Sequence, residues 1–182
     1  RVSLTLTCQA VLFDLDGVLV DSRAVVERTW ERWARRHGIE HTNLVATAHG
    51  RRSIETVREV APQLDAAVEV RWLESAELND EEGLVALPGA AAALSTIPDR
   101  RRAIVTSGGH ALAALRLRAA GLLTPSVLVA AEDVKRGKPA PDGYLLASSR
   151  LRMPPADCVV IEDAVNGIAA ANLGSARHLY LD

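Results

Sequence analysis

Near the amino terminus, the residues best suited to chemistry are Asp14 and Asp16, which directly follow an uncharged apolar run. Such a run is typical of a strand buried on both faces of a parallel sheet. Side chains alternate along a strand, so both carboxylates are expected on one side, with Leu15 on the other. Two like charges 4 Å apart repel by roughly 4 kcal/mol at an effective dielectric near 20. A divalent cation would reverse that repulsion, and oxygen ligands suit Mg²⁺. Taken alone, the motif is also compatible with a strand that ends in an ordinary turn.

Polar residues also follow other apolar runs, and one lies in a basic loop. They are Thr106, Ser107 and Gly108, then Lys138, then Glu162 and Asp163. In an open α/β sheet, ligands bind outside the carboxyl ends of the strands. Carboxylates, a hydroxyl and an ammonium that meet there fit metal-assisted phosphoryl transfer. Each residue also has a simpler interpretation: Ser107 as a helix cap, Lys138 as a solvated charge, and Glu162 with Asp163 as a helix start.

The pattern beyond residue 83 predicts alternating strands and helices. Strands are predicted over 102–106, 127–129 and 159–161, and helices over 110–120, 142–151 and 164–173. Pro88 and Gly89 are expected to open a further, Ala-rich helix. This alternation indicates an α/β fold with a doubly wound parallel sheet.

Residues 20–83 differ in pattern and contain all three tryptophans. Three helices are predicted there, over 22–37, 53–60 and 65–78, with no strand among them. Val68, Trp72 and Ala76 are expected on the inner face of the third. We therefore predict two domains: an α/β core formed by 1–19 and 84–182, and an inserted all-helical cap formed by 20–83.

Composition narrows the classes of function. Hydrophobic residues make up 48% of 182 residues and the net charge is −2, so nothing suggests binding to nucleic acid. No apolar run approaches the roughly 20 residues of a membrane span. Cys8 and Cys158 have no metal-binding spacing, which favours a reduced, cytoplasmic protein. A monomer is expected. Because the sequence begins at Arg1, a start further upstream is expected.

Four motifs, in this order, resemble the haloacid dehalogenase superfamily. They are Phe13-Asp14-Leu15-Asp16-Gly17, Val105-Thr106-Ser107, Gly137-Lys138-Pro139, and Ile161-Glu162-Asp163 followed by Gly167-Ile168-Ala169-Ala170-Ala171. The resemblance implies a Rossmann-like core with a small helical cap.

The same resemblance implies a role for each motif. Asp14 would be the nucleophile that forms an aspartyl-phosphate, and Asp16 the general acid and base. Thr106 and Lys138 would hold phosphoryl oxygens, with Ser107 and Gly108 beside them in the binding loop. Mg²⁺ would be held by Asp14, the Asp16 carbonyl and Asp163, with Glu162 helping directly or through water.

Within the superfamily, the amino-acid sequence around these motifs resembles that of the phosphatases of sugar and polyol phosphates. This implies a Mg²⁺-dependent hydrolase of a small phosphorylated metabolite. The sequence departs from that pattern at Asn172 and Ser175, where a Lys and an apolar residue are usual. Members of the branch also continue beyond the position of Asp182 with another strand and helix.

Other functions remain open at this point. A β-phosphoglucomutase-like mutase would share the motifs, but its cap His falls on Val26. A phosphonatase needs a cap Lys, and residues 20–83 contain none. A dehalogenase lacks the second Asp, present here as Asp16. A non-catalytic phosphate-binding protein is expected to have lost at least one motif residue, and none is lost.

We predict that Arg52 is the cap residue that recognises the substrate. The segment His49-Gly50-Arg51-Arg52-Ser53 resembles a polyol phosphatase pattern in which the second arginine is fixed. Two adjacent cations at a helix start oppose the helix dipole, so folding alone gives no reason for them. Guanidinium groups bind phosphate or hydroxyl oxygens bidentately. The alternative is a solvated pair on the outer face of the cap.

Overall fold

The computed structural model describes residues 6–40 and 44–181. Its strands are β1 (Ala10–Phe13), β2 (Val20–Asp21), β3 (Val85–Ala86), β4 (Arg102–Val105), β5 (Leu128–Val129), β6 (Cys158–Glu162) and β7 (Arg177–Tyr180). Its helices are α1 (Arg23–His37), α2 (Leu44–Ala48), α3 (Ser53–Val60), α4 (Ala66–Leu78), α5 (Ala90–Thr96), α6 (His110–Ala119), α7 (Asp142–Leu151) and α8 (Val165–Leu173).

Strand β1 is the centre of a five-stranded sheet with the order β5-β4-β1-β6-β7. Every pairing in this sheet is parallel. Leu12 of β1 packs with α7 and α8 on one face of the sheet, whereas Phe13 packs with α5 and α6 on the other. Helices thus cover both faces, which is why the strands are apolar throughout. The predicted doubly wound α/β core with an inserted helical cap is confirmed.

Helices α1 to α4 bury a hydrophobic cluster of their own, centred on Trp30, Trp33 and Leu73. The described residues of this segment form four helices rather than the three expected, because the five-residue α2 is too short to show a helical period. The prediction for Val68 is wrong. Its side chain is 45% exposed, whereas Glu69 and Glu77 are buried. The inner face of α4 is thus formed by Glu69, Leu73 and Glu77.

A two-stranded antiparallel ribbon lies where the chain leaves the core and returns to it. Val20 of β2 faces Ala86 of β3, and Asp21 faces Val85. Two-residue strands carry no readable alternation, so the sequence did not indicate this ribbon. The domain limits at 19/20 and 83/84 remain a prediction. None of the helices in the described residues is long and apolar enough to cross a membrane.

Candidate active site

The carboxyl ends of three neighbouring strands bring the predicted residues together. Asp14 and Asp16 follow β1, Thr106 follows β4, and β6 ends at Glu162. Strand β1 lies between β4 and β6, so these three ends share one edge of the sheet. The amide of Asp14 donates to the carbonyl of Ile161 at 3.0 Å, which continues the ladder up to the carboxylate.

Lys138 enters this edge from the loop before α7 and is 5% exposed. Its Nζ donates to Asp14 Oδ1 and Glu162 Oε1, and lies 3.3 Å from the carbonyl of Val105. A buried ammonium needs such partners, because desolvation of an unpaired charge is unfavourable. Lys138 therefore sits between two carboxylates that would otherwise repel each other.

The carboxylate of Glu162 is fully buried and is held on both oxygens. Oε1 accepts from Lys138 and from the Tyr144 hydroxyl at 2.8 Å. Oε2 accepts from the backbone amides of Asp163 at 3.0 Å and Ala164 at 2.9 Å. A Cβ on Gly167 would lie 1.6 Å from Oε1, so only glycine lets α8 approach this closely. Glu162 thus fixes the position of Lys138.

The electrostatics of the three groups differ. Burial raises the pKa of Asp14 well above its usual range, and the charges of Glu162 and Asp16 add to this, although Lys138 opposes it. The pKa of Lys138 is also raised, because Asp14, Tyr144 and Glu162 outweigh the effect of burial. In Glu162, burial is outweighed by Lys138 and the other donors, so its pKa is lowered. Of these three groups, Asp14 is therefore the one whose charged form is disfavoured by burial in the site.

Asp14, Glu162 and Asp163 offer ligand atoms that all lie within 4.8 Å of one another. Asp163 Oδ1 is buried and has no hydrogen-bond partner within the described chain. Gly17 has φ +81°, and a Cβ there would lie 1.8 Å from Asp163 Oδ2. An orphaned carboxylate oxygen in a set of oxygen donors fits a hard divalent cation.

The side chain of Asp16 lies outside that cluster and has its own partners. Ser22 Oγ donates to Asp16 Oδ1 at 2.7 Å, instead of capping α1. Arg116 Nη1 donates to Asp16 Oδ2, also at 2.7 Å. The second Nη of Arg116 donates to Glu77 on cap helix α4. Sequence reasoning identified neither Arg116 nor Glu77.

The loop after β4 turns its polar groups toward the same edge. Thr106 is buried, and its Oγ1 accepts from the amide of Gly108 at 3.0 Å. Ser107 Oγ donates to the carbonyl of Gly50 in the cap at 3.1 Å. A Cβ on Gly50, where φ is +69°, would lie 2.4 Å from the Cβ of Ala164. The cap therefore rests directly on the core at this point.

His49, next to Gly50, also approaches the carboxylate cluster. Its Nε2 lies 3.3 Å from Asp163 Oδ2, and its side chain is about half exposed. The hydrogen bond with Asp163 raises the pKa of His49 above its usual value, although burial opposes this. The cap thus brings a titratable group against the carboxylate cluster.

A cavity of about 170 Å³ lies between cap and core above these residues. The core side of its wall includes Asp14, Asp16, Ser107, Gly108, Leu112, Arg116 and Asp163, and the cap side includes Val26, Trp30, Val45, His49, Arg51 and Glu77. Both walls carry polar and apolar groups. This composition suits a small ligand with a charged end and a partly polar body.

The two cap arginines lie in different places. Arg51 lines the cavity and pairs with Glu59 at 2.6 Å. Arg52 instead borders a smaller pocket beside Thr106 and Lys138. It pairs with Glu55, and its Nη1 lies 3.3 Å from the carbonyl of Lys135. Arg52 therefore joins α3 to the loop that carries Lys138, and its role toward a substrate stays a prediction.

Comparison with known proteins decides the family. The sequence-family model of the haloacid dehalogenase-like hydrolases matches residues 8–174. The chain belongs to this family. It is 47% identical to hexitol phosphatase A of Escherichia coli (strain K12) over 166 residues, which cover 88% of this chain and 77% of that protein. It is 34% identical to 2-deoxyglucose-6-phosphate phosphatase 2 of Saccharomyces cerevisiae (strain ATCC 204508 / S288c) over 183 residues, covering 87% of this chain and 74% of that one.

Solved structures of other hydrolases share the fold. A hydrolase from Pseudomonas syringae superposes with a TM-score of 0.86 at 27% identity, covering 95% of this chain and 83% of that chain. A family member from Deinococcus radiodurans R1, with bound phosphate and sodium, gives a TM-score of 0.68 at 30% identity. The match covers 94% of this chain and 79% of that chain.

In this haloacid dehalogenase-like hydrolase, the structure places almost all of the predicted site residues at the same edge of the sheet. They are Asp14, Asp16, Thr106, Ser107, Gly108, Lys138, Glu162 and Asp163. Sequence reasoning missed Tyr144, Ser22, Arg116 and Glu77. Ser22 and Tyr144 each lie six residues after a predicted site residue, Asp16 and Lys138, whereas Arg116 and Glu77 lie further from any predicted site residue.

Proposed function

We propose that this protein hydrolyses the phosphate monoester of a small sugar or polyol through an aspartyl-phosphate. The observation that carries the proposal is the buried Asp14 carboxylate, which faces the cavity while Lys138 holds one of its oxygens. Its relatives support the leaving-group class, because hexitol phosphatase A and 2-deoxyglucose-6-phosphate phosphatase 2 are named for such substrates.

Two chemical steps follow from the placement of Asp14 and Asp16. An oxygen of Asp14 attacks phosphorus, and the bond from phosphorus to the ester oxygen breaks as Asp16 gives that oxygen a proton. Asp16 then takes a proton from water, whose oxygen attacks phosphorus and releases Asp14. General acid and base help of this kind contributes roughly 10²- to 10⁴-fold. Both aspartates line the same cavity, as the sequence of steps requires.

Phosphate oxygens would be held by Lys138, by the Thr106 hydroxyl and by the Ser107–Gly108 segment. Lys138 is already fixed by Glu162, so it needs little reordering when phosphate binds. The raised pKa of Asp14 reflects burial beside other carboxylates.

We propose Mg²⁺ as the metal, held by Asp14, Asp163 and the backbone carbonyl of Asp16, with Glu162 directly or through water. The support is the oxygen-only donor set and the orphaned Asp163 Oδ1. When bound, the cation would supply positive charge that offsets the carboxylates and the phosphate. The side chain of Glu162 is already engaged by Lys138 and Tyr144, which favours an indirect role for it.

We also propose that the protein acts as a cytoplasmic monomer with no nucleic-acid partner. The support is a net charge of −2, with no excess of basic residues, and two free cysteines, of which Cys158 is buried.

Release of inorganic phosphate from a panel of esters tests the proposal. The panel contains sorbitol 6-phosphate, 2-deoxyglucose 6-phosphate and glycerol 1-phosphate, each assayed with MgCl₂ and after chelation. We expect turnover with the metal and its loss without it. A further assay supplies glucose 1-phosphate with glucose 1,6-bisphosphate. Sustained formation of glucose 6-phosphate without phosphate release would show a mutase instead.

A further inference from the structure

Arg116 joins the proposed acid of the core to the cap. Nη1 lies 2.7 Å from Asp16 Oδ2, and Nη2 donates to Glu77 Oε2. The side chains of Arg116 and Glu77 are 5% and 6% exposed, and both line the cavity. A carboxylate of the core, a guanidinium of α6 and a carboxylate of α4 therefore form one chain across the domain boundary.

A second ion pair shows that this boundary can be bridged without burial. Arg118 Nη2 lies 2.9 Å from Glu81 Oε1, and their side chains are 66% and 52% exposed. The pair joins α6 to the segment that follows α4, close to the buried link. Burial of the Arg116 guanidinium with the Glu77 carboxylate is unfavourable unless their geometry compensates for lost hydration. Attachment of the cap to the core therefore does not explain why Arg116 is buried, since an exposed pair can provide it.

The position of Asp16 offers a stronger reason. Ser22 Oγ holds Oδ1 from the segment that leads into the cap, and Arg116 holds Oδ2 from the core. Two donors from different segments leave the carboxylate little rotational freedom. Arg116 is itself held by Glu77, so its geometry depends on α4 lying over the cavity.

We infer that Arg116 is a positioning residue that aims Asp16 at the leaving oxygen, and that Glu77 makes this aim depend on the closed cap. The inference rests on the proposed function, because it requires Asp16 to be the acid. It assigns Arg116 and Glu77 no contact with phosphorus. It places the control of proton delivery in a side-chain link from the cap helix to the core.

The consequence is a selective dependence on the leaving group. An ester with an alkoxide leaving group needs a well-placed proton donor, whereas p-nitrophenolate departs without one. Ethyl phosphate needs the proton but offers no hydroxyl to recognise. Sorbitol 6-phosphate needs the proton and offers several hydroxyls. The value of kcat/KM covers the steps up to leaving-group departure, so it reports proton delivery and not the later attack of water.

The experiment measures kcat/KM of the Mg²⁺-loaded protein for these three esters. We expect Arg116→Met to lower it roughly 10²-fold for both alkyl esters and less than about threefold for p-nitrophenyl phosphate. Glu77→Gln should give the same pattern at roughly tenfold. Arg116→Lys, which keeps the positive charge and one donor nitrogen, should recover part of the loss.

Matched controls come from the exposed pair. Arg118→Met and Glu81→Gln remove the neighbouring bridge and should leave all three values within about twofold. If Arg116→Met fails to fold, the double variant Arg116→Met/Glu77→Met removes both buried charges together and should show the same leaving-group pattern.

Three results would overturn the inference. Equal losses on all three esters would mean a structural role, and a loss confined to sorbitol 6-phosphate would mean hydroxyl recognition. Losses in the Arg118 or Glu81 variants equal to those at Arg116 would mean that any bridge suffices. A wild-type protein inactive on all three esters would instead refute the proposed function together with this inference.

Discussion

The core and the cap each bury a carboxylate among polar partners, but its pKa is raised in the core and lowered in the cap. In the core, burial raises the pKa of Asp14, with Glu162 and Asp16 adding to the effect. In the cap, Glu69 accepts from Trp33 Nε1 at 2.9 Å and meets His37 Nε2 at 2.9 Å. Burial tends to raise the pKa of Glu69, but these two contacts outweigh it and the pKa is lowered.

The difference separates a stabilising network from a functional one. Glu69 has gained donors in the folded cap, so its charge favours folding. Asp14 is buried beside other carboxylates, so its charge opposes folding and is tolerated for the reaction. Removing each charge should therefore have opposite consequences, with activity lost at one position and stability at the other.

The largest effect is expected from Asp14→Asn. An amide cannot form the acyl-phosphate, so turnover should fall by several powers of ten, roughly 10⁴-fold or more. Without added metal, stability should stay level or increase, because a charge with a raised pKa is removed. Phosphate release and urea unfolding of the same sample measure both quantities. Near-native turnover in a sequence-verified sample would refute the nucleophile.

The next effect concerns the two cap arginines. Arg52 lies against the loop that carries Lys138, so Arg52→Ala is expected to lower kcat/KM by roughly 10²-fold, about 3 kcal/mol. Arg51 is occupied by Glu59, so Arg51→Ala should cost much less. Steady-state kinetics on the best ester of the panel compares them, with unfolding curves as the control. A larger loss at Arg51 would contradict the assignment of Arg52 and place substrate recognition at the cavity wall instead.

The smallest effect on catalysis is expected from Glu69→Gln. The free energy of unfolding should fall by about 1–3 kcal/mol at neutral pH, because the two contacts lose the charge they favour. A lowered pKa stabilises above the ordinary Glu value of 4.5 and ceases to do so as the pH falls through the folded value. The difference between wild type and variant should therefore shrink below pH 4.5. Urea unfolding as a function of pH measures it, and a difference that grows toward acid would contradict the assignment.

The core site could be predicted because local sequence and topology define it together. Asp14 ends an apolar strand, Thr106 ends another, and parallel strands must end at the same edge. The role of Lys138 could be predicted only from its motif, because no periodicity places a lysine of a loop at the edge of a sheet. The use of Glu162 to hold Lys138 required the structure, since spacing does not reveal hydrogen bonds.

The cap boundary could not be predicted in this way. Arg116 and Arg118 lie two residues apart on α6, and nothing local marks one as buried and the other as exposed. Glu77 and Glu81 present the same problem at the end of α4. Only the seating of the cap decides which pair faces the cavity. The same reason explains the error at Val68, because α4 turns Glu69 and Glu77 inward to meet hydrogen-bond donors.

The stereochemical course at phosphorus tests the central claim most directly. The substrate is sorbitol 6-phosphate made chiral at phosphorus with oxygen isotopes, hydrolysed by the Mg²⁺-loaded wild-type protein in isotopically distinct water. Transfer to Asp14 and then to water is two in-line displacements, so the released phosphate should retain its configuration. Inversion would mean that water attacks the ester directly, and Asp14 would not be the nucleophile.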